Sequence, residues 1–98
     1  MCIVIYYSSI TATTSLDKHQ LYIFNRLDGM KIKYRLLDLA QDSKLKDEMR
    51  SKIGNPDAQI PQIFNGDHYC GDYAAFEQAV ECEMIEKFLK LESAQQQK

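Results

Sequence analysis

Residues 60–73 have the sequence IPQIFNGDHYCGDY, and this stretch decides the fold class. Asn65-Gly66 separates two short β-prone segments, and an Asn-Gly pair in that position is typical of a tight β-hairpin. Gly71-Asp72 follows the second segment, and Asp72 is a suitable N-cap for the helix that the apolar residues after it predict. The stretch therefore predicts two antiparallel strands followed directly by a helix.

The sequence before the hairpin predicts a strand, a helix and a second strand. Residues 2–7 are an unbroken run of apolar β-branched and aromatic types, which is typical of a central strand covered on both faces. A capping box at residues 14–17 begins a helix that ends at the Asp-Gly pair 28–29. Residues 31–37 alternate apolar with basic side chains, which indicates a strand at the edge of the sheet.

The basic side chains of the second strand allow two interpretations. They are Lys31, Lys33 and Arg35. A row of cations could bind an anionic ligand, but charged side chains also protect an edge strand from pairing with other chains. We favour the protective role.

The remaining elements complete the predicted order. A second helix is expected to begin at Asp42 or Ser43 and to end before Gly54, and a last helical segment covers residues 84–89. The order is then β-α-β-α-β-β-α. With a right-handed β-α-β crossover, it predicts a thioredoxin-like α/β fold with a four-stranded mixed sheet and flanking helices. A ferredoxin-like sandwich is the second choice.

The composition limits the classes of function. Ninety-eight residues with 45% apolar content predict one domain over residues 1–91 and a flexible polar tail at 92–98. The net charge of −2 argues against a nucleic-acid-binding protein. We expect no membrane span and no signal peptide, because no apolar run is long enough and the N-terminus lacks a basic region. A monomer in the cytoplasm, with access to the nucleus, is the expected state.

The cysteines and histidines predict no metal site. Cys2, Cys70 and Cys82 are an odd number at wide spacings, which is typical of free thiols in a reducing compartment. His19 and His68 have no Cys or His partner at the spacing of a zinc site, so both are expected to be surface or structural residues.

Three segments, residues 37–50, 54–73 and 79–91, resemble the SH3 domain-binding glutamic acid-rich-like proteins. Their sequences are LDLAQDSKLKDEMR, GNPDAQIPQIFNGDHYCGDY and AVECEMIEKFLKL. The similarity covers essentially the whole chain. It implies a glutaredoxin-like form of the thioredoxin fold that lacks the redox motif.

The resemblance gives a meaning to the loop after the first strand. In a glutaredoxin this loop carries Cys-X-X-Cys, whose first thiolate attacks a mixed disulfide. The matching residues 11–15 include hydroxyl side chains but no cysteine. A Ser or Thr hydroxyl does not supply a thiolate at neutral pH, and His19 lies inside the helix. The chain is therefore expected not to be an enzyme.

Other parts of a glutaredoxin site have counterparts in the sequence. Ile60-Pro61 matches the position of a cis-proline whose preceding backbone pairs with the glutathione cysteine, and Gly71-Asp72 matches the turn that holds a carboxylate at a helix N-terminus. The residues of this glutathione-binding remnant would be Thr11, Thr13, Thr14, Ile60, Pro61, Gly71 and Asp72. The alternative, which we favour slightly, is that Asp72 only caps the helix and Gly71 only permits the turn.

The resemblance implies a non-catalytic modulator of glutaredoxin activity that acts on protein partners, with glutathione as a weakly indicated ligand. The second hypothesis is a small cytosolic adaptor for signalling or cytoskeletal proteins, with Tyr7, Tyr69 and Tyr73 as anchors. SH3 binding through a polyproline helix is not expected, since Pro56 and Pro61 form no P-x-x-P motif.

Cys70 has a hypothesis of its own. It lies in the turn next to a helix start, so it could be an exposed, acidified and redox-sensitive thiol. We favour a small apolar side chain at the end of a strand. A one-cysteine oxidoreductase that uses Cys70 is the least favoured function, because this thiol does not occupy the helix-capping position of a nucleophile.

Overall fold

The computed structural model describes residues 3–11 and 13–90, which form a mixed sheet with helices on both faces. The strands are β1 (Ile3–Tyr7), β2 (Tyr34–Asp38), β3 (Gln62–Asn65) and β4 (His68–Asp72). The helices are α1 (Thr14–Gly29), α2 (Lys44–Ile53), α3 (Tyr73–Glu81) and the short α4 (Ile85–Phe88). Cys2 and the predicted tail at 92–98 lie outside the described residues.

The strand order confirms the predicted fold. The four strands lie in the order β2-β1-β3-β4. β1 pairs in parallel with β2 and antiparallel with β3, and β3 pairs antiparallel with β4. A parallel β-α-β unit joined to a hairpin is the thioredoxin arrangement, so the ferredoxin-like alternative is wrong. The predictions of a central β1 and an edge β2 are confirmed.

Two apolar layers cover the sheet, because successive side chains of a strand point to opposite faces. Ile5 and Ile63 point toward α1, α3 and α4, and both are fully buried. Tyr6 and Phe64 point toward α2, where they pack near Met49. Burial on both faces is the physical reason that β1 has no charged side chain in its sequence.

The second strand begins later than predicted, at Tyr34. The backbone before it completes the end of α1 instead of pairing with β1. The Lys31 amide donates to the Asp28 carbonyl at 3.1 Å, and the Ile32 amide donates to the Leu27 carbonyl at 2.9 Å. These two amides are engaged at the helix end, so β2 starts only beyond them.

The hairpin turn is displaced by one residue from its predicted position. Asn65 pairs with His68 as the last residue of β3, so the two-residue loop is Gly66-Asp67. Gly66 has a φ of +63°, which suits a glycine in the first loop position. The Asn65 side chain is buried, and its Nδ2 donates to the Leu89 carbonyl at 2.8 Å. Asn65 therefore belongs to the strand, and its amide group binds the residue that directly follows α4.

The first helix cap is also one residue from its predicted position. Thr13, and not Thr14, is the N-cap of α1, and its hydroxyl oxygen accepts the amide of the third residue after it at 3.1 Å. For α2 the prediction left two candidates. Ser43 occupies the cap position without a side-chain hydrogen bond, whereas the Asp42 carboxylate accepts the Lys44 amide at 2.9 Å. Asp42 is thus the residue whose side chain caps α2.

Candidate functional site

A cleft of about 410 Å³ lies beside the peptide bond between Ile60 and Pro61, which is cis as the resemblance predicted. Its lining comes from the segment between the end of α2 and the start of β3, from β4 with the start of α3, and from His19 of α1. The lining includes Asp57, Ile60, Pro61, Tyr69, Asp72 and Tyr73. We call this feature the cis-proline cleft.

Hydrogen bonds from the neighbouring elements hold the loop before β3 in place. Arg50 of α2 donates from Nε to the Ala58 carbonyl at 3.0 Å. The buried Gln62 donates from Nε2 to the Gln59 carbonyl at 2.6 Å, and its Oε1 accepts the Tyr69 hydroxyl at 2.7 Å. The cleft is therefore formed by fixed groups, because one buried amide joins its loop to the Tyr69 ring.

Polar groups of the hydroxyl-rich loop between β1 and α1 form hydrogen bonds within the loop and with α1. The Ser8 hydroxyl donates to the Ile10 carbonyl at 2.6 Å. Gln20, which is buried in α1, accepts the Ser8 amide and donates to the Ser8 carbonyl, each at 3.0 Å. These bonds and the Thr13 cap give the hydroxyls of Ser8 and Thr13 structural roles.

The structure brings together only part of the predicted glutathione-binding remnant. The predicted residues that line the cleft are Ile60, Pro61 and Asp72. Thr11, Thr13 and Thr14 are not among the lining residues, and both Thr13 and Thr14 are exposed at the start of α1. Helix α1 instead reaches the cleft with His19, more than one turn further along.

Gly71 and Asp72 have different roles. Asp72 lines the cleft, and its carboxylate caps α3 by accepting the Ala75 amide at 3.0 Å. Gly71 is buried against the helices, where a Cβ would lie 2.9 Å from Ala75 Cβ and 2.9 Å from Phe88 Cε1. Its φ of +152° also favours glycine. Close packing therefore accounts for Gly71, and capping accounts for part of Asp72.

The stacked pair of His19 and Tyr73 could not be found from the sequence, which predicted His19 to be a surface or structural residue. The two rings are nearly parallel, with an interplanar angle of 8° and 3.8 Å between centroids. The Tyr73 hydroxyl bonds to Glu77 at 3.1 Å, and burial together with this carboxylate raises the pKa of Tyr73. The contact joins α1 to α3, so no spacing within either helix indicates it.

The cleft has an acidic lining. Asp57 and Asp72 contribute carboxylates, and no lysine or arginine is among its described lining residues. Burial is the main cause that raises the pKa of the Tyr69 hydroxyl, and the negative charge of Asp72 adds to it. Amides at the start of α3 favour an anion, but glutathione carries two carboxylates and finds no arginine or lysine here. The side chains present therefore fit glutathione poorly.

Two residues predicted to have a role lie away from the cleft. The Cys70 side chain packs against the apolar layer with α1 and α3, and burial raises the pKa of its thiol. Burial of the side chain therefore argues against an acidified Cys70 thiol. Tyr7 packs edge-to-face on Phe24, with 5.6 Å between ring centroids. Of the three predicted tyrosine anchors, Tyr69 and Tyr73 line the cleft and Tyr7 does not.

A second depression, of about 340 Å³, shares a wall with the cleft. The shared wall consists of Ala58, Gln59 and Ile60. Its other lining residues include Ile10, Leu16, Leu39, Lys46 and Met49. Ile10, which lines this depression, is 76% exposed. We call this second feature the apolar groove.

Within residues 3–11 and 13–90, no three His, Cys, Asp or Glu side chains are grouped so that they could hold a metal ion. No helix in the same ranges combines the length and the apolar character needed to cross a bilayer.

Solved structures with the same fold include an actin-interacting protein and several glutaredoxins. The Candida albicans protein Aip5 is 22% identical, with a TM-score of 0.73 over 90% of this chain and 87% of that chain. A buckwheat glutaredoxin–glutathione complex is 13% identical, with a TM-score of 0.68 over 90% of this chain and 76% of that chain. At these identities the similarity shows the fold alone, which is the glutaredoxin-like form of the thioredoxin fold.

Sequence comparison shows the family. The profile of the SH3-binding, glutamic acid-rich proteins matches residues 1–92. An SH3 domain-binding glutamic acid-rich protein homolog from Drosophila melanogaster is 34% identical over 106 aligned positions, covering 96% of this chain and 67% of that protein. The chain therefore belongs to the SH3-binding, glutamic acid-rich protein family.

Proposed function

We propose that this protein is a non-catalytic, glutaredoxin-like binding protein that modulates redox proteins by contacting them. The start of α1 carries the proposal. A glutaredoxin places its nucleophilic thiolate there, where the helix N-terminus stabilises it. Residues 8–15 of this chain contain no cysteine, and the Thr13 hydroxyl is engaged as the helix cap. Without a thiolate at this position, the first step of thiol-disulfide exchange has no nucleophile.

The other thiols of the described chain are poorly suited to replace the missing one. Cys70 is half-buried, and burial raises the pKa of its thiol, which lowers the fraction of thiolate at neutral pH. Cys82 is exposed just after α3 and does not line the cis-proline cleft. Neither position supports turnover at the cleft.

A thiol-transfer assay tests the absence of catalysis. Reduced glutathione and the mixed disulfide of glutathione with 2-mercaptoethanol are the substrates, with a glutaredoxin as the positive control. We expect no acceleration above the rate without protein, and the same result for Cys70→Ser. An acceleration that Cys70→Ser removes would contradict the proposal and would assign the activity to that thiol.

A second assay tests modulation. The chain is titrated into the same reaction catalysed by a glutaredoxin, and we expect a saturable change in rate. The double variant Tyr69→Ala with Tyr73→Ala should lose the effect, because tyrosines supply much of the contact energy at interfaces. Tyr34→Ala, a substitution on the edge strand β2, is the matched control. No change in rate with the unmodified protein would contradict the modulator role.

Glutathione itself is tested by NMR. Backbone amide resonances of labelled protein are followed during a titration with reduced glutathione. Saturable shifts confined to residues 60–62 and 71–74 would show that the cleft retains the ligand of its fold relatives. The acidic lining makes weak binding or none the expected result.

The second candidate function is that of a small adaptor, and exposed aromatic surface at the cleft favours it. Tyr69 is 36% exposed, and Tyr73 also lines the cleft. The family name refers to SH3 domains, but the two prolines Pro56 and Pro61 form no P-x-x-P motif, and Pro61 is buried. An SH3 domain that shifts amides around the cleft in an NMR titration would favour this adaptor role over the modulator role.

A further inference from the structure

We propose that the cis-proline cleft binds a basic side chain, arginine or lysine, from an extended segment of a protein partner, and that the adjacent apolar groove holds an apolar residue of the same segment. The inference rests on the proposed function, because it states the chemistry of the partner that binds at the same cleft. Four features of the described residues carry it: the carboxylates, the tyrosine rings, the shared wall and the position of one lysine.

The carboxylates of the cleft lack a cationic partner. Ion pairs in the described chain join Lys52 to Glu48 and to Asp67, and none involves the two acids of the cleft. Among the described residues the Asp57 carboxylate accepts no hydrogen bond, because Gln59 donates to the Asp57 backbone carbonyl, and Asp72 uses one oxygen, Oδ1, as the helix cap. A guanidinium or ammonium group in the cleft would supply the missing positive charge, and guanidinium suits a carboxylate especially well.

The tyrosine rings of the cleft also favour a positively charged ligand group. Tyr69 and Tyr73 both line the cleft, and the ring faces of tyrosine attract cations. The stack with His19 covers one face of Tyr73, whereas Tyr69 remains 36% exposed. The Tyr69 hydroxyl is held by Gln62 at 2.7 Å, so its ring is fixed before a ligand arrives. Aromatic faces beside carboxylates form a site for a cation, whereas an anion would meet repulsion.

The shared wall indicates an extended ligand. Residues 58–60 separate the cleft from the apolar groove, so a chain that crosses this wall can place one side chain in each depression. The groove is lined largely by aliphatic residues, and the exposed Ile10 at its side would be covered by an apolar ligand residue. A segment with an apolar and a basic residue close together matches both depressions.

Lys46 determines which depression receives which side chain. It lines the apolar groove, and no acidic residue is among the described residues that line that groove. A basic ligand residue would be repelled by Lys46 and attracted by the carboxylates across the wall. The basic residue is therefore directed to the cleft, and the apolar residue to the groove.

The test is an NMR titration of the full chain with capped pentapeptides of sequences SLRSS, SLSRS and SLSSR, each paired with a version in which Glu replaces Arg. We expect at least one Arg peptide to shift the amides of residues 57–62 and 69–74 saturably, with an affinity about fivefold or more above that of its Glu version. Added salt should weaken the binding, since exposed charges are screened.

Charge variants separate the cleft from the net charge of the protein. Asp57→Asn with Asp72→Asn should weaken Arg-peptide binding about fivefold or more, and asparagine at the second position still caps α3. Asp67→Asn with Glu81→Gln changes the net charge equally at other sites and should leave the affinity unchanged. The proposal is overturned if the Glu peptides bind as well as the Arg peptides, if the control pair weakens binding as much as the cleft pair, or if no peptide shifts these amides at about 10 mM.

The result of the peptide titration does not depend on the result of the thiol-transfer assay. Thiol-transfer activity would refute the non-catalytic proposal without changing the peptide result. Loss of charge selectivity would refute the present inference and leave the protein non-catalytic. Tighter binding of glutathione than of every Arg peptide at the same amides would likewise overturn the preference for a cation.

Discussion

Gln20 forms two hydrogen bonds, each 3.0 Å long, with the backbone amide and carbonyl of Ser8. This pair ties α1 to the end of β1, and Gln20 is only 3% exposed. The same pair fixes the start of the loop that a glutaredoxin uses for its nucleophile. In this protein the loop is thus anchored by a buried amide that the sequence pattern did not distinguish from a surface glutamine.

Replacing Gln20 by leucine should lower the free energy of unfolding by about 2–4 kcal/mol, because two buried backbone groups of Ser8 lose their partners. Urea unfolding of the purified variant measures the loss. Gln78→Leu, at an exposed position of α3, is the matched control and should stay within about 0.5 kcal/mol of the unmodified protein. Equal effects of the two substitutions would contradict this account of the pair.

Gly71→Ala should destabilise the fold by about 1–3 kcal/mol, since its Cβ would overlap Ala75 and Phe88. Gly29→Ala is the control, because a Cβ there meets nothing within 4 Å. The control should be neutral or slightly stabilising at the end of a helix. Thermal unfolding compares the two variants. If Gly71→Ala were as stable as Gly29→Ala, close packing would not be the reason for glycine at this position.

The position of the α1 cap predicts different effects for two adjacent threonines. Thr13→Ala should cost about 1 kcal/mol, because it removes the acceptor for the Leu16 amide. Thr14→Ala should cost much less, since Thr14 is exposed in the first helical turn and alanine favours a helix. Guanidinium unfolding of both variants checks the difference. If Thr14→Ala lost more stability than Thr13→Ala, Thr14 would be the N-cap, as the sequence predicted.

Asp38 should contribute to a loss of stability in acid. Hydrogen bonds from Ser9 are the main cause that lowers the pKa of Asp38, and the Ala40 amide also donates to this carboxylate. A carboxylate with a lowered folded-state pKa stabilises the fold fully above about pH 4, and the stabilisation is lost as the pH falls through the folded-state pKa. The effect therefore lies in the acidic range.

Urea midpoints at about pH 6 and about pH 2.5 provide the measurement for Asp38. Asp38→Asn should show a smaller decrease between these two conditions than the unmodified protein. Asp57→Asn is the control, because the Asp57 carboxylate accepts no backbone hydrogen bond in the described chain, and it should keep the full decrease. If the urea midpoint of Asp38→Asn fell as much between the two pH values as that of the unmodified protein, the Ser9 contacts would not contribute to acid sensitivity.

Alkylation rates should distinguish two of the cysteines. Iodoacetamide reacts with the thiolate, and burial raises the pKa of the Cys70 thiol while Cys82 is exposed. In native protein at neutral pH, Cys82 should therefore be modified faster, as measured by mass spectrometry of peptides over time. In urea the two rates should become similar. Faster modification of Cys70 in native protein would indicate an accessible, acidified thiol and would reopen its redox role.

The sequence by itself determined the order of the elements and the layers of the fold. The apolar run of β1 predicted a strand buried on both faces, and the Asn-Gly pair predicted the hairpin, because both signals arise from contacts between near neighbours in the chain. Asp72 was predicted as a helix cap for the same reason. Each of these predictions is confirmed, although the hairpin turn and the α1 cap lie one residue away from their predicted positions.

The sequence indicated Ile60, Pro61 and Asp72, which line the cleft, but only the tertiary structure decided which residues surround them. It stacked His19 on Tyr73 and packed Gly71 against Phe88. These arrangements join residues of different elements, so the spacing within one segment carries no information about them. The charge of the cleft lining also depends on contacts between different elements. The acidic lining exists because the loop before β3 and the start of α3 meet across the cis-proline, and the packing of the sheet and helices sets that meeting.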